Sequence, residues 1–185
     1  MTIDQQRIRL KTLKVADFAS EETLCFTATV LFDGKPVATA SNDGHGGSTH
    51  LLALQGQRDR FAEAQAFAAA LPPDVTEYDD PKDSAGRLII DITLDYLVDD
   101  LAANEHADKK LRAAFKRHMN SKLLFVKNGK LVFLKDVNPK TILDRPAYFA
   151  ALRARQAQPV VILAELPPTE AFDVWRRHVL ADDPS

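Results

Sequence analysis

The chain has 185 residues, 45% hydrophobic and 27% charged, which suits one globular domain with its own core and excludes a mainly disordered chain. No stretch approaches the roughly 18 to 20 apolar residues that span a bilayer, and residues 1–9 are polar, unlike the apolar core of a secretory signal. The lone Cys25 excludes an internal disulfide and fits a reducing, cytoplasmic setting, while the formal net charge of −2 conceals a strong polarity along the chain.

Residues 7–14 alternate Arg7, Arg9 and Lys11 with Ile8, Leu10 and Thr12, which predicts a strand with one basic and one mostly apolar face. Residues 23–32 alternate more regularly. Leu24, Phe26, Ala28, Val30 and Phe32 share one face, and Thr23, Cys25, Thr27, Thr29 and Leu31 the other. Asp33-Gly34 reads as a two-residue hairpin turn, because both residues tolerate positive φ. A third strand then starts near Lys35 or Pro36 and runs to Ala40, completing an antiparallel meander. The loop 41–48 holds three of the chain's seven glycines, and 51–54 forms a further short strand.

Residues 58–71 read as an alanine-rich helix with Phe61, Ala64, Ala68 and Leu71 on one face, ended by Pro72-Pro73. The acidic stretch 74–84 contains Pro81 and reads as a loop. After Gly86, Ile90, Leu94, Leu97, Val98 and Leu101 mark a second helix. A third, over 107–119, turns Leu111, Ala114 and Phe115 inward. Strands 122–127 and 130–135 flank the hairpin signal Asn128-Gly129. Their apolar runs, 123–126 and 131–134, require cover on both faces, by helices, another sheet or a second copy of the chain. Asp144, Arg145 and Pro146 open a helix to Gln156, 159–163 is a short buried strand, and Pro167-Pro168-Thr169 leads into a last helix with Phe172, Trp175 and Val179 inward. Residues 181–185 fray. The expected fold is α+β: an N-terminal antiparallel β-meander plus helices and a C-terminal β-hairpin with flanking helices, in a single compact domain over 1–185. If the chain subdivides, a β-rich part (1–73) gives way to a helix-rich part (85–185).

The loop with Asn42, Asp43, Gly44, His45, Gly46 and Gly47 is a candidate contact loop, since glycines let backbone N–H groups approach a phosphate or a partner. It lacks the Gly-Lys-Ser/Thr ending of a P-loop and the Gly-x-Gly-x-x-Gly spacing, so the ordinary reading is a long connection between strands. His45, His50 and Asp43 are metal-ligand types, but zinc needs three or four converging ligands, and no metal or cofactor is assigned. Cys25 beside His45 or His50 would make a nucleophile pair, without any flanking signature. A thiol or metal-dependent hydrolase is therefore the enzyme alternative, with no catalytic residue assigned. Asp91, Asp95 and Asp99 repeat at helical spacing and read as a solvated face.

The charge polarity is the most informative feature. From 109 to 140 there are ten basic residues against the single acid Asp136, or +9, and the remainder carries fourteen basic against twenty-five acidic residues, or −11. Lys109, Arg112 and Lys116 share one side of the predicted third helix, with Lys110 and Arg117 adjacent, and the hairpin adds Lys122, Lys127 and Lys130. No helix-turn-helix or zinc-finger pattern accompanies them, and few aromatics stand beside the lysines to stack bases. The expectation is a non-enzymatic, macromolecule-binding accessory or inhibitor protein, of the kind mobile elements encode, acting through this basic surface and the glycine-rich loop. A protein is the first choice of partner and nucleic acid the alternative; no membrane contact is expected, and homo-oligomerisation through the hairpin is open.

Overall fold

The computed structural model describes residues 3–80, 83–135 and 137–181. The chain gathers into two compact units, Met1–Ala107 and Asp108–Ser185. The α+β expectation holds, with an N-terminal four-stranded meander and a C-terminal hairpin flanked by helices.

In the first unit, β1 (Ile8–Val15), β2 (Phe26–Phe32), β3 (Lys35–Asn42) and β4 (His50–Ala53) form an antiparallel sheet in that order. Asp33 and Gly34 hold φ of 49° and 75°, a turn whose twist matches the flanking strands, and so Phe32 faces Lys35. The inner face buries Ile8, Phe26, Ala28, Val30, Phe32, Ala38 and Ala40 against two helices. From α1 (Arg58–Ala69) come Ala64 and Ala68, small enough for close approach; from α2 (Leu94–Ser121) come Leu94, Leu97, Val98 and Ala102. The outer face carries exposed Arg9, Lys11, Lys14, Thr27, Thr39, Ser41, His50 and Leu52.

Strand β1 breaks alternation once. Lys11 pairs with Thr29 and Lys14 with Thr27, so β1 advances three residues while β2 advances two. The extra residue is a β-bulge at Thr12, whose φ is 56°. Its hydroxyl lies 3.2 Å from that of Thr29. Beyond the bulge Leu13 and Val15 pack on the core while Lys14 is exposed.

Two sequence expectations are corrected. Of the acidic stretch 74–84, read as a loop, residues 74–80 and 83–84 lie in an antiparallel ribbon, β5 (Asp74–Asp80) and β6 (Asp83–Ile90). Aspartate is a poor strand former, which misdirects the reading. Cross-strand pairing decides the outcome: Val75 faces Ile89, and Asp79 faces Arg87, with an ion pair at 3.1 Å. Tyr96 donates to Asp74 Oδ2 at 2.6 Å, tying α2 to the start of the ribbon. Gly86 lies inside β6, and Pro81 lies outside the described residues.

The second and third helices are one 28-residue helix, α2. It contains no glycine or proline to stop it. The sequence suggests a break because two apolar stripes follow each other out of phase at 3.6 residues per turn. Leu94, Leu97, Val98 and Ala102 are buried in the first unit; Leu111, Ala114, Phe115 and Met119 serve the second. The division between the units falls inside this helix.

The second unit is built on β7 (Leu123–Lys127), β8 (Lys130–Leu134) and β9 (Val160–Ile162), in the order β8-β7-β9. Its helices are α3 (Arg145–Ala154) and α4 (Pro168–Ala181), besides the last turns of α2. Phe149 and Leu152 of α3 pack on Leu123, Phe125, Val160 and Ile162. On the opposite face Leu124, Val126 and Leu131 meet Phe172 and Trp175 of α4 and the α2 stripe. The doubly apolar hairpin is thus covered on both faces by the chain's own helices. The Asp144 carboxylate accepts from the Ala147 N–H at 3.0 Å and caps α3, with a proline in its first turn. Residues 182–185 lie outside the described residues.

Candidate functional site

The glycine-rich loop is held by its own hydrogen bonds. Asn42, 6% exposed at the end of β3, is satisfied at both ends of its amide. Its Oδ1 accepts from the Thr23 hydroxyl and the Gly44 N–H, each at 2.9 Å. Its Nδ2 donates to the Gly47 carbonyl at 2.9 Å and to Thr49 Oγ1 at 3.1 Å. The Gly44 carbonyl accepts the N–H groups of Glu21, Glu22 and Thr23 at 3.1, 2.9 and 3.2 Å, and the Gly46 N–H donates to Thr23 Oγ1 at 3.3 Å. The N–H groups of Gly44 and Gly46 are therefore engaged within the protein instead of being presented to a phosphate. Residues 20–23 and 42–47 thus form one interlocked turn. Asp43, His45, Gly46 and Gly47 remain exposed on its surface; Asn42 and Gly44 are buried.

The network continues into α2, where the Thr49 hydroxyl donates to the Asp99 carboxylate. Burial pushes that carboxyl above the usual carboxylate range; the Thr49 hydrogen bond opposes the shift and the charge of Asp95 adds to it. Asp99 is thus an anchor for the loop and not part of a solvated face. No local sequence signal marks this, since Thr49 and Asp99 are 50 residues apart.

The Cys25–His50 pair does not assemble. Cys25 and His50 line the same cleft, but they sit on opposite sides of β3, about 9 to 10 Å apart laterally. His50 also faces Ser41, which itself faces Thr27, so Cys25 is displaced along the sheet as well. His45 Nδ1 lies 3.4 Å from Glu21 Oε2. Among the described residues no three His, Cys, Asp or Glu side chains converge on a common point.

The basic residues separate into two groups within the second unit. Lys109, Lys110, Arg112, Lys116 and Arg117 are exposed on α2, away from its inward residues Leu111, Ala114, Phe115 and Met119. Arg112 is committed to the fold: its Nε is 2.6 Å from Asp108 Oδ2, and its guanidinium carbon is 4.5 Å from the centre of the Phe172 ring. The second group is the hairpin tip, where Lys127 directly faces Lys130 across Asn128-Gly129. Lys122 stands at the other end of β7, about 17 Å away, with its ammonium 4.3 Å from the centre of the half-exposed Phe133 ring. His118, on the same helix, has its imidazole pushed down by burial and then by the charges of Lys122 and Arg117.

Sequence reading missed a cleft of about 570 Å³ on the outer face of the first unit's sheet. Its lining includes Lys14, Thr27, Ser41, Ser48, Thr49 and His50. The available signal was the alternation of β2, which turns Cys25 and Thr27 outward. The positions of Lys14 and His50 depend on a bulge and on strand order. No family model, curated protein or solved structure matches the chain.

Proposed function

We propose that the protein is a non-enzymatic accessory or inhibitor protein that binds an acidic surface of a protein partner through the basic residues of its second unit. The observation that carries this reading is the coincidence of charge with structure. Asp108–Ser185 carries fifteen Lys and Arg against eight Asp and Glu, or +7, and Met1–Ala107 nine against eighteen, or −9. The facing pair Lys127 and Lys130 supports it. Like charges directly opposite each other on a sheet are unfavourable, and an anionic group seated between them relieves the repulsion.

The test uses a tagged full-length chain on native host lysate, with and without nuclease, beside a variant carrying Lys109→Glu, Lys116→Glu and Lys127→Glu. These three are exposed or half-exposed, and none makes the Phe172 or Phe133 contact. A protein that survives nuclease, is lost with the variant, and binds the pure chain supports the reading. Partners that vanish with nuclease, and affinity that falls steeply between about 50 and 200 mM salt, assign the same surface to nucleic acid. Equal capture by the variant refutes both.

A further inference from the structure

We propose that the cleft on the outer face of the first unit's sheet binds a small organic anion, a phosphate or carboxylate carried on an apolar body. Strand pairing aligns one residue from each of the four strands across that face: Lys14 faces Thr27, Thr27 faces Ser41, and Ser41 faces His50. With strands about 4.8 Å apart the row is about 14 Å long. Every member can donate a hydrogen bond: an ammonium, two hydroxyls and an imidazole N–H. Ser48 adds a further hydroxyl, while Ala16 and Cys25 supply apolar lining. Asp43 is the one carboxylate of the lining and already accepts the His45 N–H at 3.3 Å. Lys14 enters no ion pair among the described residues. The volume falls in the range of about 300 to 1,000 Å³ that holds small ligands.

The bulge is independent support. Strict alternation after Lys11 would turn Leu13 outward and Lys14 into the core. The extra residue, Thr12, reverses this at the cost of a β-branched side chain at φ 56°, a conformation such residues rarely adopt. Bulges recur beside functional sites because they re-aim a side chain, and here the side chain re-aimed is the cation of the cleft. Lysines and bulges also protect edge strands from pairing. That accounts for Arg9 and Lys11 on β1, but not for the donors on β2 and β3 or for the cleft beside them.

The experiment is a chemical-shift titration of the full-length, nitrogen-labelled protein with phenyl phosphate, and with benzyl alcohol as the neutral counterpart. The expected result is saturable shifts at the amides of Thr27, Ser41, Gly47 and Ser48 with phenyl phosphate alone. Lys14→Gln should weaken binding about tenfold or more, the worth of one charged hydrogen bond, while Lys35→Gln, an exposed lysine beside the Asp33-Gly34 turn, leaves it unchanged. Non-saturating shifts, shifts centred elsewhere, equal binding of benzyl alcohol, or an unaffected Lys14→Gln variant each overturn the proposal. The charge-reversed variant of the second unit should bind the probe normally, so this site and the partner surface fail or stand separately.

Discussion

Replacing Gly44 by alanine tests whether the glycine-rich loop is architecture. Gly44 has φ 91°, and a Cβ there would overlap the Ala19 carbonyl oxygen and stand 2.9 Å from Cys25 Cβ. The left-handed backbone alone costs an alanine about 1 to 2 kcal/mol. The obstacle is backbone, so the loop itself must move, and the Gly44 carbonyl then loses its N–H partners from Glu21, Glu22 and Thr23. Losing two of those bonds at about 0.5 to 1.5 kcal/mol each brings the expected destabilisation to about 2 to 5 kcal/mol. Two glycines serve as controls. At Gly46 the added Cβ meets the flexible end of Glu22, so Gly46→Ala should cost about 1 to 2 kcal/mol for its backbone alone. At Gly47 it meets open space, so Gly47→Ala should stay within about 0.5 kcal/mol of the parent. Urea unfolding followed by far-UV circular dichroism gives the three values, and amide exchange at Glu21, Glu22 and Thr23 reports the loop directly. Trp175, the one tryptophan, lies in the second unit, so its fluorescence reads that unit separately. A Gly44→Ala protein as stable as Gly47→Ala, with those amides still protected, would refute the reasoning.

Three further outcomes follow from the ionisable groups. The Asp99 carboxyl is raised by burial, so its stability contribution is present below the ordinary carboxylate pKa and lost as pH rises through the folded value; Asp99→Asn should gain on the parent across that window, and a pH-independent difference in urea midpoint would contradict this. Tyr96 is pushed up to about 12, first by its hydrogen bond to Asp74; ultraviolet titration should show a late phenol that is absent in Tyr96→Phe. Lys122→Gln should move the His118 titration upward in a proton NMR experiment, because the charge of Lys122 helps to hold it down; an unmoved midpoint would mean that Lys122 plays no part.

The elements with strong local signals were legible. Asp33-Gly34 and Asn128-Gly129 adopt the positive φ values that their residue types allow, the β2 alternation places Phe26, Ala28, Val30 and Phe32 inward, and Asp144 caps α3. The consecutive apolar residues 123–126 correctly implied cover on both faces. The failures share a cause, which is that a local pattern was overruled by pairing at a distance. Residues 74–80 look like a loop until Val75 is set against Ile89. Asp99 looks solvated until Thr49 reaches it. The glycines of loop 42–47 were visible in the sequence as a connection between strands, but the carbonyl that Glu21, Glu22 and Thr23 share was not.

The sequence by itself determined the fold class, most element positions, the turns and the segregation of charge, because these depend on side-chain periodicity, backbone preference and composition within short windows. Only the tertiary structure decided the continuity of α2, the interlocking of 20–23 with 42–49, and the cleft. Each of these depends on groups brought together from distant parts of the chain. A row such as Lys14, Thr27, Ser41 and His50 has no local spacing to recognise, because strand order and a single bulge create it.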